Sequence, residues 1–427
     1  MNRRLLVLRA LGLGDLLAGV PALRALRRAH PGHELVLAAP PELGEAVAAT
    51  GAVDTLLPAA APGRAVPAAL DWTGPPPDIA VDLHGNGPPS HRLLQALRPA
   101  RLLAFAHPET PEVDGPPWTP HEHERERWCR LLRAYGIPAD ARDLLLPRPA
   151  AASPAPGAVL VHPGAASAAR RWPGGRYAAV VRGLLRRGHR VVVTGGPGEE
   201  ELVGAVAMPG AEPFPGGLPF GVLSALVAGA SAVVSGDTGL AHLAVAHGTP
   251  SVTLFGPVAP ALWGPPPSPR HAALWHPGPP GDPHGDVPDP LLLRVGVPEV
   301  LAGVRDVIGV AGGSHTGSHP WAPRRASGTG ACEGGPNGTI GGSGPARSRA
   351  PRKRGIIMTH DPEPERTPGL EPGGGVPPGE TPPGEDSTGG AGPRDDLSRG
   401  WAKGPVFVIG ALVFLFAVTV LIWAAIV

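Results

Sequence analysis

Four segments place carboxylate, imidazole, hydroxyl or guanidinium groups beside glycines directly after short apolar runs, where backbone and side chains can meet a ligand together. In the first, Arg9-Ala10-Leu11-Gly12-Leu13-Gly14-Asp15-Leu16, a glycine turn leads to a carboxylate at the start of an apolar-periodic helix. Such a carboxylate can accept a proton in a cleft, and standing alone Asp15 also reads as a first-turn acid favoured by the helix dipole. Gly12 and Gly14 do not complete a dinucleotide fingerprint. The third glycine is missing, and Ala38-Ala39-Pro40 stands where an acid would close the second strand.

The second segment, Val161-His162-Pro163-Gly164-Ala165, is followed by Arg170-Arg171-Trp172-Pro173. A small-residue loop exposes backbone N–H groups and the guanidinium groups add charge-assisted hydrogen bonds, the makings of a pyrophosphate cradle. His162 also reads as a satisfied strand-end histidine. The third, Thr194-Gly195-Gly196-Pro197-Gly198-Glu199-Glu200-Glu201, puts acids in a first helical turn, where they suit the dipole and where one can accept hydrogen bonds from ribose hydroxyls. The fourth, Ser235-Gly236-Asp237-Thr238-Gly239-Leu240-Ala241-His242, delivers Asp, Thr and Gly to a helix N-terminus. A phosphate there meets unpaired N–H donors and the positive dipole end, although Asp237 also reads as a plain N-cap. His242 lies one turn further on, facing either the same cleft or the core.

The elements that must hold these groups alternate strand and helix. The pattern predicts a strand over 5–8, a helix over 15–29 and a strand over 34–39, then a strand at 79–83 and helices at 90–97 and 122–135. A proline-alanine stretch at 147–156 reads as a linker. Beyond it come a strand at 158–162, a helix at 175–187, a strand at 190–194, helices at 198–206 and 220–229, a strand at 232–235, a helix at 239–247 and a strand at 251–255. A proline-rich surface stretch at 263–290 and a helix at 298–308 close the globular part. Two α/β domains with mostly parallel sheets follow, one over 1–150 and one over 151–310.

Of the 427 residues, 42% are hydrophobic and 17% charged, which suits a globular protein, whereas 62 Gly and 59 Pro exceed what turns require. Thirty-seven Lys and Arg against 36 Asp and Glu leave no field to hold a polyanion, which argues against nucleic acid as a partner. Cys129 and Cys332 are too few for a disulfide framework and read as free thiols. Residues 311–404 lack hydrophobic periodicity and read as a disordered Gly/Pro-rich linker. Residues 405–427 are 23 uncharged residues, about 34 Å as a helix, enough to cross a hydrocarbon core. Arg394, Arg399 and Lys403 flank this transmembrane helix on one side, which places the globular domains on the cytoplasmic face of the cell membrane, tail-anchored. Without the C-terminal segment the protein reads as soluble and cytoplasmic. The apolar run at the N-terminus is broken by Arg9 and Asp15 and does not read as a secretion signal. From Met358 onward the tail resembles small single-span actinobacterial proteins of unknown function, so residues 1–310 and 358–427 read as two reading frames now joined.

The four segments, in this order and with Val81-Asp82-Leu83-His84-Gly85-Asn86-Gly87 and His121-Glu122-His123-Glu124-Arg125-Glu126-Arg127-Trp128 between them, resemble glycosyltransferase family 9, the ADP-heptose:lipopolysaccharide heptosyltransferases. The resemblance runs from about residue 4 to 310. It implies a GT-B fold, two facing Rossmann-like domains with the acceptor on the first and the nucleotide sugar on the second. It implies an inverting, metal-independent transfer of a sugar, a heptose in the family, from a nucleotide diphosphate donor to a glycan or lipid-linked acceptor, with no cofactor. Asp15 matches the catalytic base. Donor-binding positions are His162, Gly164, Arg170, Arg171, Glu199, Asp237, Thr238, Gly239 and His242, with Glu200 competing with Glu199 for the nucleoside. Gly14 and Asn86 fall on the acceptor side. Arg170 departs from the family's usual Lys, which keeps the charge and changes its reach. No Asp-x-Asp pair ends a strand, and His276, Asp282, His284 and Asp286 lie in a Pro/Gly loop without regular support, so no metal site is expected. Competing readings are a non-catalytic nucleotide- or glycan-binding protein on the same scaffold and a nucleotide-sugar epimerase.

Overall fold

The computed structural model describes residues 3–214 and 216–312. The expected transmembrane run at 405–427, Cys332 and nearly all of the expected linker at 311–404 lie outside the described residues. Among the described residues no helix is long and apolar enough to cross a membrane.

The first half of the chain runs β1 (Arg3–Leu8), α1 (Leu13–Ala29), β2 (His33–Ala39), α2 (Gly44–Ala49), β3 (Thr55–Pro58), β4 (Ile79–Asp82), α3 (Pro88–Gln95), β5 (Arg101–Leu103) and α4 (Glu124–Ala134). The second half runs β6 (Val159–His162), α5 (Gly174–Leu185), β7 (Val191–Thr194), α6 (Glu200–Val206), β8 (Ala211–Phe214), α7 (Phe220–Ala228), β9 (Ala232–Gly236), α8 (Gly239–Ala246), β10 (Ser251–Leu254), α9 (Pro260–Trp263), β11 (His271–Leu274) and α10 (Val297–Gly312). The central strands are continuous apolar runs because helices cover both faces of each sheet. Leu5, Leu6, Val7 and Leu8 are all buried, as are Val191, Val192 and Val193.

Two all-parallel sheets result, ordered β3-β2-β1-β4-β5 and β11-β10-β9-β6-β7-β8. In each, the chain winds outward on one side of its first strand and then returns to pair on the other side. The crevice of the first sheet therefore opens between β1 and β4, and that of the second between β6 and β9. Ligands bind α/β sheets at such points, outside the carboxyl ends of the strands. The residues that emerge there are Arg9 to Asp15 and Leu83 to Asn86 in the first sheet, and Pro163 to Arg171 and Asp237 to His242 in the second.

The two sheets are joined by helix packing. α1 lies against α8, and Leu16, Leu17 and Val20 of α1 share one apolar cluster with Leu240, Leu243 and Ala244 of α8. Each fully buried leucine of this kind contributes about 1.5–3 kcal/mol. Ala18 adds a contact with Phe255, Val258 and Trp263. Because Asp15 lies in the first turn of α1 and Thr238 is the N-cap of α8, their packing brings the two switch points together.

The differences from the sequence reading are local. β3, β5, β8 and β11 are three- or four-residue strands outside the buried pairs at the sheet centres, partly exposed and without the fully buried apolar run of the inner strands. The stretch at 263–290 contains β11, whose His271–Leu274 pairs in parallel with β10. α6 starts at Glu200 rather than at 198, because Gly198 has φ +80°, a left-handed conformation no helix can include. Cys129 is a buried free thiol, pushed up to about 12 by burial.

Candidate active site

The fourth segment sits at the start of α8. Thr238 occupies the N-cap position in extended conformation, yet its side chain makes no capping bond. Its Oγ1 is buried and has no hydrogen-bond partner among the described residues. A buried hydroxyl without a partner costs about 1–3 kcal/mol, so its place beside the N–H groups of Gly239 and Leu240 marks where a ligand oxygen fits. Asp237, also buried, has Arg170 Nη1 at 3.4 Å and His242 Nε2 at 3.8 Å. His242 is pushed down to about 3, first by burial and then by the charges of Arg125, His123, Arg170 and Arg9. The ring is therefore neutral at pH 7. Guanidinium groups from both halves of the chain thus lie around the start of α8.

The second and third segments form one unit. His162 Nδ1 lies 3.0 Å from the Thr194 carbonyl, and burial lowers this imidazole to about 4. Its Nδ1 therefore donates to that carbonyl, which ties β6 to β7 below the cleft. Glu199 accepts a hydrogen bond from Gly196 N at 2.7 Å and folds over Gly164 so closely that a Cβ on that glycine would land on the carboxylate. Burial raises the Glu199 carboxyl, against opposing contributions from Gly196 N–H, Arg171 and Ala165 N–H. Arg171 Nε donates to the Ala165 carbonyl at 2.6 Å. Glu199 and Arg171 thus brace the loop that carries Gly164, whereas Arg170 points to Asp237. Glu200 is exposed and accepts from Gly198 N.

In the first half, Asp15 is fully buried at the beginning of α1 with Gly14 beside it. Its Oδ1 lies 3.7 Å from Arg9 Nη2, and both side chains are excluded from solvent. Asn86 is half-buried in the loop between β4 and α3. At the end of β4, Asp82 Oδ1 accepts from the backbone N–H of His84 and Gly85 in that loop, at 2.9 and 3.3 Å. His84 is lowered to about 4 by burial, with Asp82 opposing and Arg9 assisting.

Several groups at this junction carry no role in the sequence reading. Arg9 and His84 from the first sheet reach into it. His123 Nε2 and Arg125 Nη1 both donate to the Gly264 carbonyl, at 2.9 and 3.1 Å, so the start of α4 grips the end of α9. Trp263 packs edge-on against His242, with ring centres 5.8 Å apart. A sequence signal existed. His121 to Arg127 carries seven ionisable side chains in a row, dense for a chain that is 17% charged, and five of them prove buried or half-buried.

Among the described residues no group of three or more His, Cys, Asp or Glu side chains is placed to hold a metal ion. His276 pairs instead with Glu299 at 3.1 Å, and Asp282 accepts from His284 N.

Residues 134–280 match the model of glycosyltransferase family 9 (heptosyltransferase), and residues 347–427 match that of a family of unknown function (DUF6480). Lipopolysaccharide heptosyltransferase 3 of Escherichia coli is 32% identical over 113 residues, 25% of this chain and 33% of that protein. Lipopolysaccharide heptosyltransferase 1 of Pseudomonas aeruginosa is 33% identical over 155 residues, 34% of this chain and 43% of that protein. The chain thus aligns with less than half the length of these curated relatives. The solved structure of E. coli ADP-heptose lps heptosyltransferase II superposes with a TM-score of 0.57 at 20% identity, over 72% of this chain and 99% of that one. The chain has a GT-B-like α/β fold with parallel sheets, and over residues 134–280 it resembles glycosyltransferase family 9, the heptosyltransferases.

Proposed function

We propose that this protein is an inverting glycosyltransferase that moves a sugar, a heptose, from an ADP-linked donor to a glycan or lipid-linked acceptor. The observation that carries the reading is the convergence of Arg9, Arg125 and Arg170 on the N-terminus of α8, where Thr238 Oγ1 is buried without a partner. A nucleoside diphosphate placed there meets N–H donors, a hydroxyl and guanidinium charge at once, and these also stabilise the charge of the departing diphosphate. That chemistry needs no metal. The ADP-heptose named for the superposed E. coli enzyme and the lipopolysaccharide named for both curated relatives support the choice of donor and acceptor class.

Asp15 supplies the base. Its carboxylate takes the proton of the acceptor hydroxyl as that oxygen attacks the anomeric carbon from the face opposite the diphosphate. The bond to the diphosphate breaks, ADP leaves with the electron pair, and the configuration inverts. Asp237 orients Arg170 toward the diphosphate. His162, Gly164, Arg171 and Glu199 shape the loop over the nucleoside, Gly239 lets the donor approach the helix start, and Gly14 and Asn86 border the acceptor. For an acceptor embedded in a membrane, tethering by residues 405–427 on the cytoplasmic face would raise the local concentration of enzyme.

A thermal-shift screen of the full-length chain against ADP, GDP and UDP, followed by an ADP-release assay with ADP-heptose and deacylated lipopolysaccharide, tests the proposal. Stabilisation by ADP and acceptor-dependent ADP release are expected. ADP binding with no transfer would favour a binding protein on this scaffold, and an altered free sugar formed without acceptor would favour an epimerase; either outcome overturns the proposal.

A further inference from the structure

Arg9 is a buried guanidinium at the end of β1 whose contacts reach three separate segments of the first half of the chain. Its Nε donates to the backbone carbonyl of Asp15 at 2.6 Å, and its Nη1 donates to the Leu83 carbonyl in the loop after β4. Its Nη2 donates to Glu124 Oε1 at 3.1 Å and stands 3.7 Å from Asp15 Oδ1. Glu124 is itself fully buried. It also accepts from Trp128 Nε1 at 2.7 Å and from Arg127 Nη1. Arg127 is anchored in turn by the carbonyls of Thr119, Pro120 and Glu122. The four buried charges Arg9, Arg127, Asp15 and Glu124 cancel.

One more feature shows that the structure makes room for this guanidinium. Gly19 of α1 faces Arg9, and a Cβ there would lie 3.0 Å from Arg9 Cδ and Nε. Glycine inside a helix costs stability relative to alanine, so its presence at a fully helical position is matched by the side chain it admits.

We propose that Arg9, seated by Glu124, is the positioning residue for the Asp15 carboxylate and for the acceptor loop after β4. Nη2 gives its hydrogen bond to Glu124 and meets Asp15 only at ion-pair distance. Arg9 thereby holds the Asp15 carboxylate by charge at ion-pair distance and makes no two-point pair with it. The bonds to the Asp15 and Leu83 carbonyls lock the start of α1 to the loop that carries Asn86, so base and acceptor share one frame. This inference rests on the transferase reading above and adds to it how the base is held.

The test uses the full-length chain, ADP release from ADP-heptose with deacylated lipopolysaccharide as acceptor, and calorimetry with ADP. Arg9→Gln is expected to lower kcat about 100-fold, the effect of a misplaced catalytic group, while Kd for ADP rises far less, because the Arg9 donors are committed to Glu124 and two backbone carbonyls, and Arg9→Lys is expected to restore part of the loss. Glu124→Gln is expected to lower kcat as well. Gly19→Ala changes no charge, and its gain in helix propensity offsets the push on Arg9, so it is expected to lower kcat several-fold with only a small change in Tm. A purely structural pillar would move Tm and leave kcat alone. Wild-type kcat in Gly19→Ala and Arg9→Lys, both folded, would overturn the inference. Absence of transfer by the wild-type chain would instead overturn the transferase reading itself.

Discussion

Replacing Asp15 by Asn removes one negative charge from a buried site and keeps the side-chain shape. Asp15 and Arg9 are 3.7 Å apart and both excluded from solvent, so at an effective dielectric constant of about 20 their gross attraction is about 4 kcal/mol. Arg9 retains Glu124 at 3.1 Å and two backbone carbonyls. The cost therefore falls below the 3–5 kcal/mol or so of an abandoned buried charge, at about 1–3 kcal/mol, and the protein stays folded. Loss of a general base lowers kcat by about 10²–10⁴-fold. ADP affinity moves the other way or not at all, because a negative charge has been taken from the neighbourhood of a diphosphate. ADP-release kinetics, urea unfolding and calorimetry with ADP on one preparation read all three quantities. A folded Asp15→Asn variant with kcat within about threefold of wild type would refute the assignment of the base, and so would joint loss of ADP binding and turnover.

Thr238→Val removes a buried hydroxyl that has no partner among the described residues, so unfolding stability should hold or rise while ADP binding weakens by about tenfold; weaker stability with unchanged ADP affinity would contradict the placement of the diphosphate. Arg170→Gln removes the Arg170 ion pair from the buried Asp237 carboxylate and should lower stability in urea unfolding by about 3 kcal/mol or less and weaken ADP binding, with Arg170→Lys milder on both counts. Stability should fall as the solution is acidified. His84, His162 and His242 are held near 4, 4 and 3 by burial, so below pH 6.5 the unfolded chain takes up protons that the folded chain refuses until those values are reached. Each histidine then removes up to about 1.4 kcal/mol per pH unit, and urea midpoints at pH 7, 6 and 5 should decline in that order; a flat profile would refute the burial of these rings. Truncation before residue 405 should move the protein from the membrane fraction to the soluble fraction of a lysate, and unchanged partitioning would count against a tether.

Much of the architecture was written locally. The apolar runs at 5–8, 159–161 and 232–234, each followed by small residues and a new helical period, specify strand, turn and helix within about a dozen residues, so β1-α1, β6-α5 and β9-α8 are legible without tertiary information. The same locality makes Asp15, Asp237, Thr238 and Gly239 visible as groups at helix starts. The short outer strands β3, β5, β8 and β11 were not legible, because they are partly exposed and lack the fully buried apolar run of the inner strands, so only pairing with a neighbour makes them strands.

Charge placement belongs to the tertiary structure. Arg9 and Glu124 are 115 residues apart and meet only because α4 packs on α1. Arg125 and His123 find Gly264 more than 130 residues downstream. Glu199 reads as a first-turn acid, yet its carboxylate folds over Gly164 of another loop. The physical reason is that backbone conformation and hydrophobic period are decided by near neighbours. Burying a charge, in contrast, is tolerable only against a partner, and which partner arrives is settled by how the sheets wind and how the helices between them pack.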